Sequence, residues 1–215
     1  MKKLKMKKHK TKGLLFTFCG LDGSGKTTMM NRLINDLSGE YEVVTTKQPT
    51  DSVRNSEIFR TYMDSSEHDR FDYRSLSLLA ASDRVQHCNK VILHELEEGR
   101  IVVSDRYFYS CLANLRARGF KKDKWIYEIA KSIIKPDLAF FFDVPVEIAV
   151  SRVRERPNEK DRFIDMDLQH QLRKNYIDIC RANNGILINT EMPKEDCYNK
   201  IKYEVERVLK HERIR

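Results

Sequence analysis

Short apolar runs alternate with amphipathic stretches along most of the chain. The runs predict five strands, over residues 14–19, 41–46, 101–104, 138–144 and 186–188. Residues 138–144 (LAFFFDV) are apolar apart from Asp143, as expected for a strand that is covered on both faces. Apolar residues at spacings of three and four predict a helix after the first strand and further helices over 75–98, 123–133, 146–154, 165–181 and 194–210. Strands that alternate with helices indicate an α/β fold with a parallel sheet.

Positive charge is concentrated at the amino terminus. The 215 residues carry a net charge of +8, and residues 1–12 (MKKLKMKKHKTK) contain seven lysines and no acid. The remainder therefore carries only +1, so nucleic acid is not an expected partner of the folded body. A basic run can bind nucleic acid or an anionic membrane, but terminal charge runs are usually solvated. We expect residues 1–12 to be a disordered tail and residues 13–215 to form a single domain.

Composition excludes several other classes of protein. No apolar stretch reaches the ~20 residues of a membrane span, and none follows the lysines as a secretory signal requires. The five cysteines have no CxxC spacing and the six histidines no HxxxH grouping. This argues against a disulfide framework and against a transition-metal site. We expect a soluble, cytoplasmic protein with reduced cysteines that fill the core.

A glycine-rich loop joins the first strand to the first helix. Residues 20–27 read GLDGSGKT and satisfy the pattern GxxxxGK[ST]. The glycines let backbone N–H groups turn toward phosphate oxygens, and the start of the next helix adds positive charge. Lys26 can then reach the β and γ phosphates, and the Thr27 hydroxyl can bind Mg²⁺. Because a strand precedes the loop and a helix follows it, we interpret it as a nucleotide site rather than a chance turn.

Two charged residues follow the third predicted strand. Asp105 and Arg106 follow the apolar part of the run IVVSDRY, and in open parallel sheets this end of a strand faces the ligand crevice. Asp105 is a candidate to hold Mg²⁺, directly or through its water, and Arg106 a candidate to bind a phosphate. The alternative is a structural ion pair that caps the strand.

Other arginines are less distinctive on pattern alone. Arg84 lies on the helix predicted over 75–98, where an arginine is by default a solvated surface residue. Residues 152–162 (RVRERPNEKDR) have few apolar positions and one proline, which predicts an exposed, mobile segment. Charge runs are usually solvated faces, but in a phosphate-binding protein such a segment is also a candidate lid. Its arginines are Arg152, Arg154, Arg156 and Arg162.

Five ordered segments together resemble the thymidylate kinase family, and the similarity covers nearly the whole chain after residue 12. The segment FTFCGLDGSGKTT resembles the opening strand and phosphate loop of that family, LLAASDRVQH its substrate-contacting helix, and VVSDRYFYS its DRY segment. KPDLAFFFDV resembles its fourth strand, and DRFIDMDLQHQLRKNY the end of its lid and the following helix. Five ordered matches are far more specific than the phosphate loop alone.

The resemblance implies a P-loop three-layer sandwich with five parallel strands in the order 2-3-1-4-5. It implies Mg·ATP as phosphoryl donor, a nucleoside monophosphate as acceptor, and usually a homodimer packed through helices. The ATP-binding residues would be Gly20, Leu21, Asp22, Gly23, Ser24, Gly25, Lys26, Thr27 and Thr28. The acceptor would be contacted through Asp22, Pro49, Arg84, Arg106 and the position of Asn114, with Arg106 on its phosphate and Arg84 on its base.

The resemblance also assigns a lid to residues 152–165. No basic residue lies among Leu21 to Ser24, so the chain resembles the branch of the family whose lid arginines supply catalytic charge. Arg154 and Arg156 are the candidates, alongside Lys26, Asp105 and Arg106 as catalytic residues.

Two departures fall in the expected acceptor pocket. Ala80 stands where the family usually has an aromatic residue that stacks on thymine, and Asn114 where it usually has Tyr or Phe beside the deoxyribose. Three hypotheses stay open: a thymidylate kinase, a related kinase with another nucleotide or phosphorylated acceptor, and a regulatory or nucleic-acid-associated ATPase that uses the basic tail.

Overall fold

The computed structural model describes residues 1–64, 70–160 and 163–212, and its fold is built on one parallel sheet. The strands are β1 (Leu14–Gly20), β2 (Val43–Lys47), β3 (Ile101–Asp105), β4 (Leu138–Asp143) and β5 (Ile186–Asn189). They lie in the order β2-β3-β1-β4-β5, and each neighbouring pair is parallel. The predicted fold class and strand order are confirmed.

Helices cover both faces of the sheet. Those in the described residues are α1 (Lys26–Leu37), α2 (Asp51–Arg54), α3 (Glu57–Asp64), α4 (Tyr73–His87), α5 (Leu93–Glu97), α6 (Phe108–Ala117), α7 (Trp125–Ile129), α8 (Val146–Arg154), α9 (Met166–Ala182) and α10 (Lys194–Glu212). A π-helical turn, Cys88–Ile92, joins α4 to α5. The helix predicted over 75–98 is therefore a continuous helical stretch over residues 73–97, with one widened turn in it.

The side chains of the strands pack into two separate hydrophobic cores, one on each face of the sheet. Leu15, Val102 and Phe141 pack with α4, α6 and α9 on one face of the sheet. Phe16 and Phe140 pack with α1 and α10 on the other. Because side chains alternate along a strand, neighbouring residues supply opposite cores. This alternation produces three layers, with the sheet in the middle.

Helix α6 was not predicted from the sequence pattern. Seven of its residues are buried, including Phe108, Leu112 and Leu115. A helix that is covered all round has no polar face, so the periodic contrast that identifies a surface helix is missing. α6 packs against α9 and lies directly after β3, which brings its first turn to the carboxyl end of the sheet.

The prediction that residues 1–12 form a disordered tail is wrong. The backbone N–H of Lys7 donates to the Ile133 carbonyl at 2.8 Å, and Lys7 forms a parallel bridge with Ile134. Leu4 is buried, and Met6 packs against the same core. The packing of these two apolar side chains and the backbone hydrogen bonds of Lys7 thus order the segment, while the lysine side chains stay exposed.

Other expectations from composition can be compared with the described residues. All five cysteines are free thiols and buried, as predicted. In the described part of the chain, no helix has the length and apolar character to cross a membrane. The same residues contain no cluster of three or more His, Cys, Asp or Glu side chains able to hold a metal.

Candidate active site

One cleft opens at the carboxyl ends of β1, β2 and β3. Its volume is about 980 Å³, and its walls come from the β1–α1 loop, the segment after β2, α4, the start of α6 and the residues that follow α8. In an open parallel sheet this is the expected place for a ligand, because the strand order reverses beside β1. The residues predicted from sequence to bind nucleotides converge on this cleft.

The β1–α1 loop has the backbone of a phosphate cradle. Gly23 and Gly25 have φ values of 79° and 85°, which other residues rarely adopt. A Cβ at Gly23 would lie 2.0 Å from the Ala149 carbonyl oxygen. The Ser24 hydroxyl donates to the Leu21 carbonyl at 2.8 Å and closes the turn. Gly25 is therefore required by its backbone conformation, and Gly23 by both its conformation and the lack of space for a Cβ.

Lys26 is a buried cation at the base of this loop. Its ammonium donates to the Leu21 carbonyl at 2.6 Å. Burial, and then the nearby charge of Arg106, lowers the pKa of Lys26 to about 8. A buried ammonium with one carbonyl partner is incompletely compensated, so an incoming polyphosphate would restore the interactions that burial removes.

Arg106 joins the loop to the far side of the cleft. It adopts a left-handed backbone conformation with φ 68°. Its guanidinium donates to Asp22 Oδ1 at 2.5 Å, to the Gly20 carbonyl at 3.1 Å and to the Tyr176 hydroxyl at 3.1 Å. Burial by itself would lower the pKa of Arg106, but the charge of Asp22, followed by Tyr176 and Asp105, raises it above its ordinary value. Arg106 therefore remains a cation.

Asp105 has oxygen atoms available for a hard cation. Within the described residues, its buried Oδ1 has no hydrogen-bond partner, and Oδ2 lies 3.8 Å from Lys47 Nζ. Arg106 pairs with Asp22 rather than with Asp105, so the expected alternative of an Asp105–Arg106 capping pair is wrong. Thr27 is exposed at the cleft wall. A carboxylate and a hydroxyl facing one cleft suit a Mg²⁺ that takes its remaining ligands from phosphates and water.

The face of α4 that borders the cleft carries buried polar atoms. Arg84 is 3% exposed, so the default expectation of a solvated surface arginine is wrong. Its Nη1 donates to the Ala80 carbonyl at 2.8 Å. In the described chain, Arg84 Nε and Ser77 Oγ are buried without a hydrogen-bond partner. Because such atoms are costly to leave unpaired, this face is suited to receive a polar ligand beside Ala80.

The segment after β2 contributes an arginine that was missed from the sequence. The Gln48–Pro49 peptide is cis, and the Pro49 carbonyl accepts a hydrogen bond from Arg54 Nε at 2.7 Å. Burial, and then Arg106, lowers the pKa of Arg54. Arg54 lies on a four-residue helix, too short to produce a periodic signal. Only its position shortly after the proline could have indicated it.

Asn114, on α6, and Arg118, just after the end of α6, form the part of the cleft wall next to Tyr73 of α4. Asn114 Nδ2 donates to the Ser110 carbonyl at 2.9 Å, and its Oδ1 accepts from Arg118 Nη1 at 3.0 Å. Both residues line the cleft. Asn114 thus lies where it was predicted, but among the described residues its contacts orient another side chain of the wall.

The predicted lid arginines have different positions. Arg152 donates to the Gly23 carbonyl at 3.4 Å and to the Thr190 carbonyl at 3.3 Å, which places it against the phosphate loop. Arg156 lines the cleft and pairs with Glu159 at 3.1 Å. Arg154 is exposed and is not part of the cleft wall. Arg162 lies outside the described residues.

The cleft therefore brings together most of the residues predicted from sequence. Three of them lie outside its lining, namely Gly20 and Ser24 beneath the loop and the exposed Arg154. Those that line it are Leu21, Asp22, Gly23, Gly25, Lys26, Thr27, Thr28, Pro49, Arg84, Asp105, Arg106, Asn114 and Arg156.

Comparison with known proteins agrees with this geometry. A family model described as thymidylate kinase matches residues 18–201. A probable thymidylate kinase of Pyrococcus horikoshii is 34% identical over 207 residues, which cover 94% of this chain and 98% of that protein. The thymidylate kinase of Onion yellows phytoplasma is 32% identical over 211 residues, which cover 93% of this chain and 100% of that protein. The chain therefore belongs to the thymidylate kinase family and is a nucleoside monophosphate kinase.

Proposed function

We propose that the protein transfers the γ-phosphoryl group of ATP to dTMP, forming dTDP and ADP. The observation that carries this proposal is the set of cations that line one cleft. Lys26 lies in the phosphate loop, Arg106 is bonded to Asp22 of that loop, and Arg54 and Arg84 line the same cleft. A kinase for a phosphorylated acceptor must bind two polyanions face to face, and this arrangement provides cations for both.

The donor side of the reaction is assigned to the loop. Its backbone N–H groups and Lys26 bind the β and γ phosphates of ATP. Thr27 and Asp105 would hold Mg²⁺, Asp105 directly or through water. When bound, the metal neutralises charge on the β and γ phosphates. Lys26 stabilises the charge that develops on the transferred group, in a site where its ammonium is already desolvated.

The acceptor side is assigned to Arg106 and Arg54, which bind the phosphate of the monophosphate. Asp22 orients Arg106 and helps to place the acceptor, and Pro49 shapes the wall beside it. The attacking phosphate oxygen is largely ionised at neutral pH, because its second pKa is about 6. No general base is therefore needed, and positioning and electrostatic stabilisation account for the catalysis.

Residues 152–165 are assigned the role of a lid. Arg156 already lines the cleft, and closure would carry it, or Arg154, toward the γ phosphate. Arg152 also lines the cleft and is bonded to the Gly23 carbonyl of the phosphate loop. A closed lid also excludes water, which would otherwise accept the phosphoryl group.

A second acceptor stays in consideration because of Ala80. This residue is half-buried in the cleft wall, near Ser77 Oγ and Arg84 Nε, which have no hydrogen-bond partner among the described residues. An alanine at this position would admit a base other than thymine, so a related kinase with a different monophosphate is the alternative.

A panel of acceptors distinguishes the two. ADP release should be measured with ATP, Mg²⁺ and each of dTMP, dUMP, UMP, CMP, dGMP and dAMP, with hydrolysis in the absence of acceptor as the baseline. We expect dTMP to give the highest kcat/KM. If dTMP is inert and another monophosphate is phosphorylated, that monophosphate is the substrate. If no monophosphate stimulates ADP release, the proposal is refuted.

The affinity for ATP should depend on pH through Lys26. Since the pKa of Lys26 is lowered to about 8 in the ligand-free protein, the ammonium loses its proton as the pH rises above 8. Only the charged form attracts phosphate, so the Kd of ATP should rise by up to about tenfold per pH unit above 8. Calorimetric titration between pH 7 and 9.5 measures this. The variant Lys26→Met should bind weakly and without that slope; an equal slope would assign the effect to another group.

We also propose that two copies of the chain form a homodimer through helices. Leu78, Leu79 and Val91 are 46%, 39% and 43% exposed on the helical stretch that contains α4. Exposed apolar side chains grouped on one element are typical of protein interfaces. Their burial against a second copy would remove this apolar surface from water.

A further inference from the structure

Two neighbouring aromatic rings with an arginine on each outer side lie between α4 and the end of α6. Arg118 Cζ lies 4.0 Å from the centre of the Tyr73 ring. The Tyr73 and Phe120 rings are nearly parallel, with 12° between their planes and 6.4 Å between their centres. Arg74 Cζ lies 4.4 Å from the centre of the Phe120 ring. We call these four residues the ring stack.

The two ends of the ring stack have different surroundings. Arg118 and Tyr73 line the cleft. Arg74 is not part of the cleft wall, and its guanidinium pairs with Asp123 at 2.9 Å. The chain therefore contains two arginines in similar contact with an aromatic ring, of which one faces the acceptor side of the cleft and the other faces solvent.

The guanidinium at the cleft end is fixed in orientation. Tyr73 supports one face, and Asn114 Oδ1 accepts a hydrogen bond from Nη1 at 3.0 Å. Tyr62 packs edge-on against Tyr73, with ring centres 5.2 Å apart at 78°. Among the described residues, Arg118 has no carboxylate partner within ion-pair distance. A half-buried, oriented cation without a counter-charge is a site that a ligand can complete.

The neighbouring wall leaves space for a flat ligand. Ala80 presents only a methyl group to the cleft, and the apolar Leu76 and Cys111 lie in the same wall. Ser77 Oγ, one turn before Ala80, is buried without a partner in the described part of the chain. A planar guanidinium supported by an aromatic ring stacks well on a nucleobase, because each offers a flat, polarisable face.

We propose that Arg118 is a specificity-determining residue, whose guanidinium, supported by Tyr73 and oriented by Asn114, stacks on the base of the acceptor in the space beside Ala80. The inference rests on the proposed function only in requiring an acceptor that carries a nucleobase. It assigns to an arginine on the α6 side of the cleft the base contact that residue 80 is too small to make.

The test compares Arg118→Met and Arg118→Lys with the matched control Arg74→Met. Methionine keeps much of the aliphatic length and removes the guanidinium; lysine keeps the charge and removes the plane. For each variant, the KM of dTMP and of ATP should be measured, together with the inhibition constants of thymidine and of inorganic phosphate as competitors of the acceptor. Thymidine measures the contacts of the base and sugar without the phosphate, and inorganic phosphate measures the contacts of the phosphate alone.

We expect both Arg118 variants to raise the KM of dTMP and the inhibition constant of thymidine by about tenfold. The KM of ATP and the inhibition constant of inorganic phosphate should stay within twofold, as should all four constants in Arg74→Met. A purely structural role would move all the constants together or lower the unfolding temperature without changing thymidine inhibition. Either result, or an unchanged thymidine constant, overturns the inference.

Failure of the proposed function would be visible separately in the wild-type protein. If another monophosphate is the active acceptor, the same variants are assayed with it and its nucleoside, and the expected changes are the same. If no monophosphate is phosphorylated, both the proposed function and the role of Arg118 are refuted.

Discussion

Replacing Lys26 by alanine is expected to reduce kcat by about 10³-fold, because the loss removes the cation that stabilises charge on the transferred phosphoryl group. Lys26→Met, which keeps most of the aliphatic chain, should lose nearly as much activity. Steady-state ADP release under saturating ATP and acceptor measures the effect. Residual binding by the loop backbone should leave some affinity for ATP.

The fold should survive these substitutions. Burial lowers the pKa of Lys26, so the unfolded chain binds the proton more tightly than the folded protein does, and the ammonium opposes folding at pH 7. Lys26→Met should therefore unfold at the same temperature as the wild type or higher. Lys90→Met, at an exposed position, is the control and should retain full activity. Full activity in Lys26→Ala would overturn the assignment of the phosphate loop.

Replacing Arg106 by alanine is expected to lower kcat/KM for the acceptor by about 10²- to 10³-fold. The acceptor phosphate would lose a buried cation, and Asp22 would lose one hydrogen bond, at 2.5 Å. The KM of ATP should change much less, because Lys26 and the loop remain. Arg106→Lys should not restore activity, since an ammonium cannot bind Asp22 and a phosphate in the planar geometry of a guanidinium.

The control for Arg106 is Arg100→Met, which removes an arginine that pairs with Glu42 and Glu95 away from the cleft. Its kinetic constants should equal those of the wild type. If Arg106→Ala keeps the acceptor KM and kcat of the wild type, Arg106 is only structural. An equal loss of ATP affinity would instead indicate that the substitution distorts the loop through Gly20.

The strands and the phosphate loop could be predicted because their signals are local. A buried parallel strand is a short apolar run, and the loop motif follows from its own conformational needs. The central residues of helices α1, α8, α9 and α10 were predicted for the same reason, since each of these helices has one apolar and one polar side. Helix α6 has no such contrast, so a helix that lies against α9 and leads into the cleft was missed.

The interior position of the arginines could not be derived from the sequence pattern. Arg84 lies on α4, which packs against α2 and α6, and its burial depends on contacts that only the whole fold supplies. Arg54 points into the cleft because its Nε is held by the Pro49 carbonyl. The role of Arg84 was indicated by the family resemblance, and that of Arg54 only by the structure, because neither propensity nor periodicity shows which arginines face a cleft. Similarly, a run of lysines predicts a solvated tail, and the sequence pattern does not show that Leu4 and Met6 within it pack against the core.

The bond between Asp22 and Arg106 has a consequence for selection among anions. Before any acceptor binds, this guanidinium is already engaged by a carboxylate, so an incoming ligand must offer more negative charge than a single carboxylate to share it. A singly charged ester or a chloride ion gains little from that exchange, whereas a doubly ionised phosphate gains the full benefit of the surrounding cations. The Asp22–Arg106 pair thus selects ligands by ionisation state before their bases are distinguished.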